Sequence, residues 1–214
     1  MAATRIMPAY YSELGRLRML GGNPALDLAN TTHWREGQII EFITNYTSLV
    51  DWSVPARLLS ENEARMLQRQ SKQNTDVAID VLQNWLQMRN RFREHLALLT
   101  SKQARRRSAG DVAISFKPLA RDISQMMQKF DVADIRGEFG HTEAEIGIAL
   151  PLARSFSAIM NLILFTPHSL IHLCEGDPCG GFFINNSRSK PRRWCAMDSC
   201  GNRAKINRHR ALNA

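Results

Sequence analysis

The four cysteines constrain this chain more than any other feature. Cys174, Cys179, Cys195 and Cys200 are the only cysteines among 214 residues. They read C-x4-C, fifteen intervening residues, then C-x4-C. Four thiolates held about 2.3 Å from a Zn²⁺ need two short turns facing each other, with a hairpin or loop between them. The intervening "GGFFINNSRSKPRRW" supplies a Gly-Gly, a short aromatic strand and a polar turn. A reducing compartment favours metal over disulfides for such a cluster. Two disulfides, or four unrelated buried thiols, are the alternatives. With four sulfurs a tetrahedral site is full and has no open position for water or substrate. The expected cofactor is therefore one structural zinc ion, cross-linking a segment too poor in apolar residues to fold alone.

The compartment follows from what the chain lacks. The opening "MAATRIMPAYYSELGRLRML" has no continuous apolar core of the secretory type. The longest oily run, "AIMNLILF" at 158–165, is too short to span a bilayer and contains Asn161. A cytoplasmic protein without a membrane partner is expected.

Charge is unevenly placed. The formal net charge is +8. Most of the excess lies beyond residue 180, where Arg188, Lys190, Arg192, Arg193, Arg203, Lys205, Arg208 and Arg210 face a single acid, Asp198. A near-neutral body with a strongly basic end fits a polyanion partner, most simply nucleic acid. A solvated tail fits the charge count equally well.

The hydrophobic pattern organises the rest. "LGGNPALDLANTT" (20–32) alternates in the manner of a strand with one buried face. The spacing of Ile39, Ile40, Phe42, Ile43, Tyr46 and Leu49 predicts a helix over 36–49, followed by a connector anchored by Trp52. Ser60-Glu61-Asn62-Glu63 is a capping-box pattern opening a helix over 60–73. Residues 76–100 carry apolar positions at helical spacing and predict the longest helix. A basic loop at 101–111, a second strand at 112–119, a helix in "ARDISQMMQKF" and an ambiguous stretch up to 149 follow. "PLARSFSAIMNLILFTP" (151–167) reads as a buried helix, with Pro151 in its first turn and Pro167 past its end. After Cys200, "GNRAKINRHRA" predicts a short basic helix. Trp194 reads as a plug for the hairpin core rather than a stacking platform for bases. The fold class is α+β and helix-rich. An N-terminal α/β domain with a small sheet, residues 1–168, precedes a zinc-finger module with a β-hairpin and a C-terminal basic helix, residues 169–214.

At these residues the chain resembles a known family. "RRWCAMDSCGNRAKINRHRA" and the upstream "CEGDPCGGFFINNSRSKPRRWC" resemble the two halves of the CGNR zinc finger, named for the residues that are here Cys200, Gly201, Asn202 and Arg203. That family commonly has an acid where this chain has Asn185. "GGNPALDLANT" resembles the opening of the ABATE domain, with Leu28 in place of the usual aromatic. The resemblance implies a two-part bacterial regulator of stress-induced transcription, with DNA binding through the finger and an α/β domain for sensing or dimerisation.

Within the N-terminal part, Asp27, Asn30 and Thr31 form a polar cluster read as the floor of an effector pocket, with Arg89 and Arg93 as counter-charge for an anionic ligand. The same residues serve equally as caps, turn braces and solvated cations. No nucleophile elbow, phosphate loop or HExxH motif is present, and the six histidines share no signature, so no enzyme is expected. The reading is a DNA-binding transcription regulator, with a small effector and a homodimer as further expectations. An RNA-binding protein, or a small-molecule-binding protein or enzyme whose finger makes protein contacts, are the rivals.

Overall fold

The computed structural model describes residues 18–35, 38–101, 117–121, 124–125, 147–187 and 191–213. The chain forms two compact units. One joins Met1–Glu41 to Ser169–Ala214, and the other is Phe42–His168. The second unit begins where composition does not mark it. Composition divides the chain at 168/169, whereas the compact units group the segment up to Glu41 with the cysteine-rich end.

The Phe42–His168 unit is helical where it is described. Helix α2 is Tyr46–Ser53, α3 is Glu61–Gln73, α4 is Thr75–Thr100 and α5 is Leu150–Phe165. Each start has a local cause. Asn45 accepts from the Ser48 N–H, and the Ser48 side chain accepts from the Asn45 N–H, closing a capping box. Ser60 and Glu63 do the same for α3. A proline in the first turn of α5 lacks an N–H that the helix would leave unpaired anyway. Helix α2 packs on α3, α4 and α5, and α4 packs on α5. Trp85, Met88, Phe92 and Leu96 of α4 are almost fully buried, as are Leu49, Leu67, Leu152, Ile159 and Leu162. Each such side chain contributes about 1.5–3 kcal/mol of transfer free energy. Two polar groups inside this core are paired: Trp85 Nε1 donates to Ser155 Oγ at 2.9 Å, and Tyr46 Oη donates to the Ile148 carbonyl at 2.7 Å. Arg154 grips both oxygens of Glu63 at 2.9 and 2.7 Å. Burial opposes ionisation of Glu63, but the hydrogen bonds from Arg154 and Ser60 outweigh it and hold the carboxyl below its usual range.

The other unit contains α1 (Pro24–Ala29), the antiparallel pair β1 (Thr32–Arg35) and β2 (Gln38–Glu41), the antiparallel pair β3 (Ile171–Leu173) and β4 (Phe182–Ile184), and α6 (Asn202–Leu212). Thr32 lies opposite Glu41 in the first pair, and Ile171 opposite Ile184 in the second. Helix α1 packs against β4. Gly21 and Gly22 make its entry possible. A Cβ on Gly21 would meet Leu26 Cβ at 2.7 Å, and Gly22 sits at φ +71°.

Three expectations change. The alternating stretch at 20–32 is a helix, not a strand, over Pro24–Ala29. Asn23 caps it by accepting from the Ala25 N–H, and Pro24 fits its first turn. All of Ala25–Ala29 is buried, so alternation there does not mark an inside and an outside face. The helix predicted over 36–49 is instead a strand at Gln38–Glu41 and a helix from Tyr46 onward, divided by the cap at Asn45. That helix continues through Trp52 into the expected connector. Residues 117–121 are helical, which removes the end of the strand expected over 112–119. The rest of that strand, the basic loop and most of 122–146 lie outside the described residues. Among the described residues no helix is long and apolar enough to cross a membrane.

Candidate metal centre

The first C-x4-C is the turn of the β3–β4 hairpin. Cys174 follows β3, and its N–H donates to the Gly181 carbonyl at 2.8 Å just before β4. Asp177-Pro178 in this turn is a cis peptide. The second C-x4-C leads into a single π-helical turn, Met197–Gly201, from which α6 runs on. The Glu175 N–H donates to the Arg193 carbonyl at 2.9 Å and ties the two halves together. All four thiols are buried, and their sulfurs lie within 4.8 Å of one another. Cys179 Sγ to Cys195 Sγ and Cys195 Sγ to Cys200 Sγ are both 3.8 Å. A tetrahedron with metal–sulfur bonds of about 2.3 Å has edges of about 3.8 Å. These distances exceed a disulfide bond nearly twofold, so the pairing alternative is set aside and the donor set fits one structural Zn²⁺.

The surroundings favour a thiolate at Cys174. The backbone N–H groups of Gly176 and Cys195 point at Cys174 Sγ, at 3.4 and 3.3 Å. Hydrogen bonds from the other three cysteines and from the Cys195 N–H push the Cys174 thiol far below its ordinary value. The Cys179 thiol is pushed up, first by its contact with Cys174, since so tight a cluster cannot carry four negative charges without a cation. Space is equally committed. A Cβ on Gly176 would lie 2.8 Å from Cys200 Cβ and 2.9 Å from its sulfur. Phe183, fully buried, closes the floor, and Leu20, Trp194 and Ala196 pack around the cluster. Trp194 thus sits against the metal site, as its reading as a plug requires.

The N-terminal segment is built into this centre. Asn30 holds β4 by its outer edge: its Nδ2 donates to the Phe182 carbonyl and its Oδ1 accepts from the Phe182 N–H, both at 2.8 Å. The Ile184 N–H donates to the Gly21 carbonyl at 2.8 Å. Asp27 Oδ1 accepts from the Gly21 N–H at 2.7 Å, and Thr31 Oγ1 donates to the Leu28 carbonyl at 2.8 Å. Burial raises the Asp27 pKa to about 6, against the lowering effect of the backbone N–H groups of Gly21 and Leu20. Asp27 and Thr31 thus bond to the backbone of their own segment, and Asn30 braces β4 of the hairpin. Arg89 and Arg93 belong to the other unit. Arg89 is buried, with its guanidinium 5.5 Å from the centroid of the Trp85 ring and hydrogen-bonded to Asn90, while Arg93 is half-buried. No single cluster of all five residues forms within either unit.

The basic residues divide into two groups. Arg192 donates to the Ile184 carbonyl at 2.7 Å and lies over the Phe183 ring. Arg193 pairs with Glu175 at 2.6 Å and lies over Trp194. Arg203 turns inward to Cys200. Arg192 and Arg193 remain exposed despite these contacts, and Lys205, Arg208 and Arg210 are exposed on α6, which has no buried residue. Arg188 and Lys190 lie outside the described residues. The one acid of the segment, Asp198, is paired with Arg18 at 2.8 Å, and that hydrogen bond holds its carboxyl below the usual range. Asn185, at the position where an acid is usual, still acts as an acceptor. Its Oδ1 takes the Ser187 N–H, and its Nδ2 adds a bond to the Arg192 carbonyl.

Arg18, Gly176 and the bracing role of Asn30 are not legible in the sequence alone. Only Asn30 carries a signal there, as a polar residue inside an apolar run.

Two family models match the chain. Residues 171–212 match the CGNR zinc finger, and residues 22–123 match ABATE, described as "Putative stress-induced transcription regulator". No curated protein and no solved structure matches. The first match encloses the four-sulfur cluster, the two together span well over half of the sequence, and the chain belongs to the ABATE and CGNR zinc-finger family.

Proposed function

We propose that the protein is a DNA-binding regulator of transcription that presents α6 to duplex DNA. The observation that carries this reading is the state of that helix. It leaves the zinc site with only Arg203 and Ala204 half-buried, and from Lys205 to Leu212 every residue is exposed. A helix of eleven residues is about 16 Å long and about 10–12 Å across with its side chains, a width the major groove admits. Lys205, Arg208 and Arg210 then reach phosphates or base edges, and Asn207 adds a side chain suited to adenine. Pairing with Arg18 masks Asp198, a carboxylate just before this helix that would otherwise repel the DNA backbone.

The metal's part is to fold the platform from which the helix projects. One finger buries little surface, so specific binding calls for a dimer or a second contact. The test is the salt dependence of binding to random-sequence duplex DNA, beside structured RNA at matched salt. With Arg188 and Lys190 added to Lys205, Arg208 and Arg210, about five phosphates are neutralised and log K falls against log salt with a slope of about −4.5. Zinc chelation abolishes that binding. A slope near zero, or preference for the RNA, overturns the reading.

A further inference from the structure

Arg203 belongs by sequence to the basic set, yet the structure gives it different company. It lies in the first turn of α6, three residues after Cys200, and is half-buried while the cations further along the helix are exposed. Its Nη2 donates to the Cys200 sulfur at 3.2 Å and to the Pro178 carbonyl at 3.3 Å. Its Nε is buried, with no hydrogen-bond partner. An Nη2 engaged inward in this way is not free to take a phosphate.

We infer that Arg203 is a positioning residue for the metal centre. Its Nη2 joins a sulfur of the second C-x4-C to the backbone of the first, and so fixes where α6 begins relative to the hairpin turn. Three features argue for this assignment over an accidental contact. A full positive charge next to a thiolate offsets the net negative charge that four sulfurs place around one divalent ion. The other two N–H donors in the cluster both go to Cys174, so Arg203 is the described N–H donor to Cys200. The neighbouring Gly201 lets the turn close: a Cβ there would lie 2.7 Å from Met197 Sδ and 3.4 Å from the Trp194 ring. The inference rests on the metal site and not on the DNA reading.

The experiment uses the full chain with Arg203→Met and Arg203→Lys, beside Arg208→Gln. Zinc affinity is measured by competition with a chromophoric chelator, and Co²⁺-substituted protein reports on the sulfurs through its sulfur-to-metal charge-transfer band. Outer-shell partners of metal ligands are commonly worth 10–100-fold in affinity. Arg203→Met is expected to weaken zinc at least about tenfold and to shift the cobalt band to lower energy, since the sulfur becomes more electron-rich. Arg203→Lys keeps the charge on a shorter side chain whose ammonium cannot take the position of Nη2, so it recovers part of the affinity and part of the shift. At saturating zinc the salt slope of DNA binding stays at the parent value for Arg203→Lys, while Arg208→Gln lowers it by about 0.9. Parent zinc affinity and an unshifted cobalt band in Arg203→Met overturn the assignment. If Arg203→Met does not hold metal at all, Arg203→Lys decides alone: parent affinity with a parent cobalt band overturns the assignment, and intermediate values support it.

Discussion

Asn30 is the residue whose loss tests the architecture most directly. Its carboxamide meets both backbone groups of Phe182 at 2.8 Å, and both residues are almost fully buried. Truncation in Asn30→Ala strands one N–H and one C=O where water does not readily reach. Each buried group left unpaired costs about 1–3 kcal/mol, so the pair costs about 2–6 kcal/mol. Domains of this size are stable by about 5–15 kcal/mol, which makes that a large fraction. The loss falls on β4, whose Phe183 floors the sulfur cluster, so zinc retention weakens with it. Asn30→Asp sharpens the test. It keeps the acceptor for the N–H but sets a carboxylate oxygen against the Phe182 carbonyl. It is expected to be at least as damaging at neutral pH and to recover on mild acidification, when a proton restores the donor. The assays are the rate of zinc transfer to a chromophoric chelator and proteolysis within 169–213. Asn30→Ala within about 0.5 kcal/mol of the parent in urea unfolding, with an unchanged zinc-transfer rate, refutes the reasoning.

Further predictions follow from other contacts. Gly176→Ala places a methyl 2.9 Å from Cys200 Sγ and should lower zinc content well below one per chain in elemental analysis, with new thiol reactivity. Asp27 has a pKa of about 6 when folded, against an ordinary value of 3.8, so the folded state binds its proton more tightly than the unfolded state. Stability from this group is fully present below about pH 4 and is lost as pH rises through 6, about 3 kcal/mol in all and about 1 kcal/mol between pH 5 and 7. Urea unfolding of the parent minus Asp27→Asn, with zinc bound, should show that fall; a flat difference excludes it. Glu63→Ala removes both a cap and the grip of Arg154 in the helical unit, at a cost of about 2 kcal/mol by tryptophan fluorescence, with the rate of zinc transfer unchanged.

Local chemistry is legible in the sequence, and pairing between distant segments is not. Helices α3, α4 and α5 can be read because a capping box, a long 3.6-residue period and a first-turn proline act within a few residues of one another. The sulfur cluster can be read because its spacing states its chemistry. Helix α1 escapes such a reading although Asn23-Pro24 is a proper helix start, because a helix buried all round shows no stripe to mark its period. Ile39 and Ile40 sit at helical spacing with Ile43 but are β-branched, and they lie in a strand. Asn30 can be recognised as polar and set among apolar residues, but its partner lies 152 residues away. A charge count places Arg203 among the phosphate contacts because it does not record which way a side chain turns.

The hydrogen bonds between Asn30 and Phe182 also set an order of events. Phe42–His168 lies between the two halves of the other unit, as an insertion does. During synthesis the described contacts among α2, α3, α4 and α5 can form as soon as α5 emerges, whereas the metal-binding unit waits for the segment beyond residue 169. Residues 20–31 are made early and must remain uncommitted until β4 appears, and the last sulfur arrives later still, at Cys200. Zinc uptake therefore reports that synthesis has passed both units. A chain that stops short of Cys200 has its helical unit but lacks both the full metal site and the basic helix beyond it.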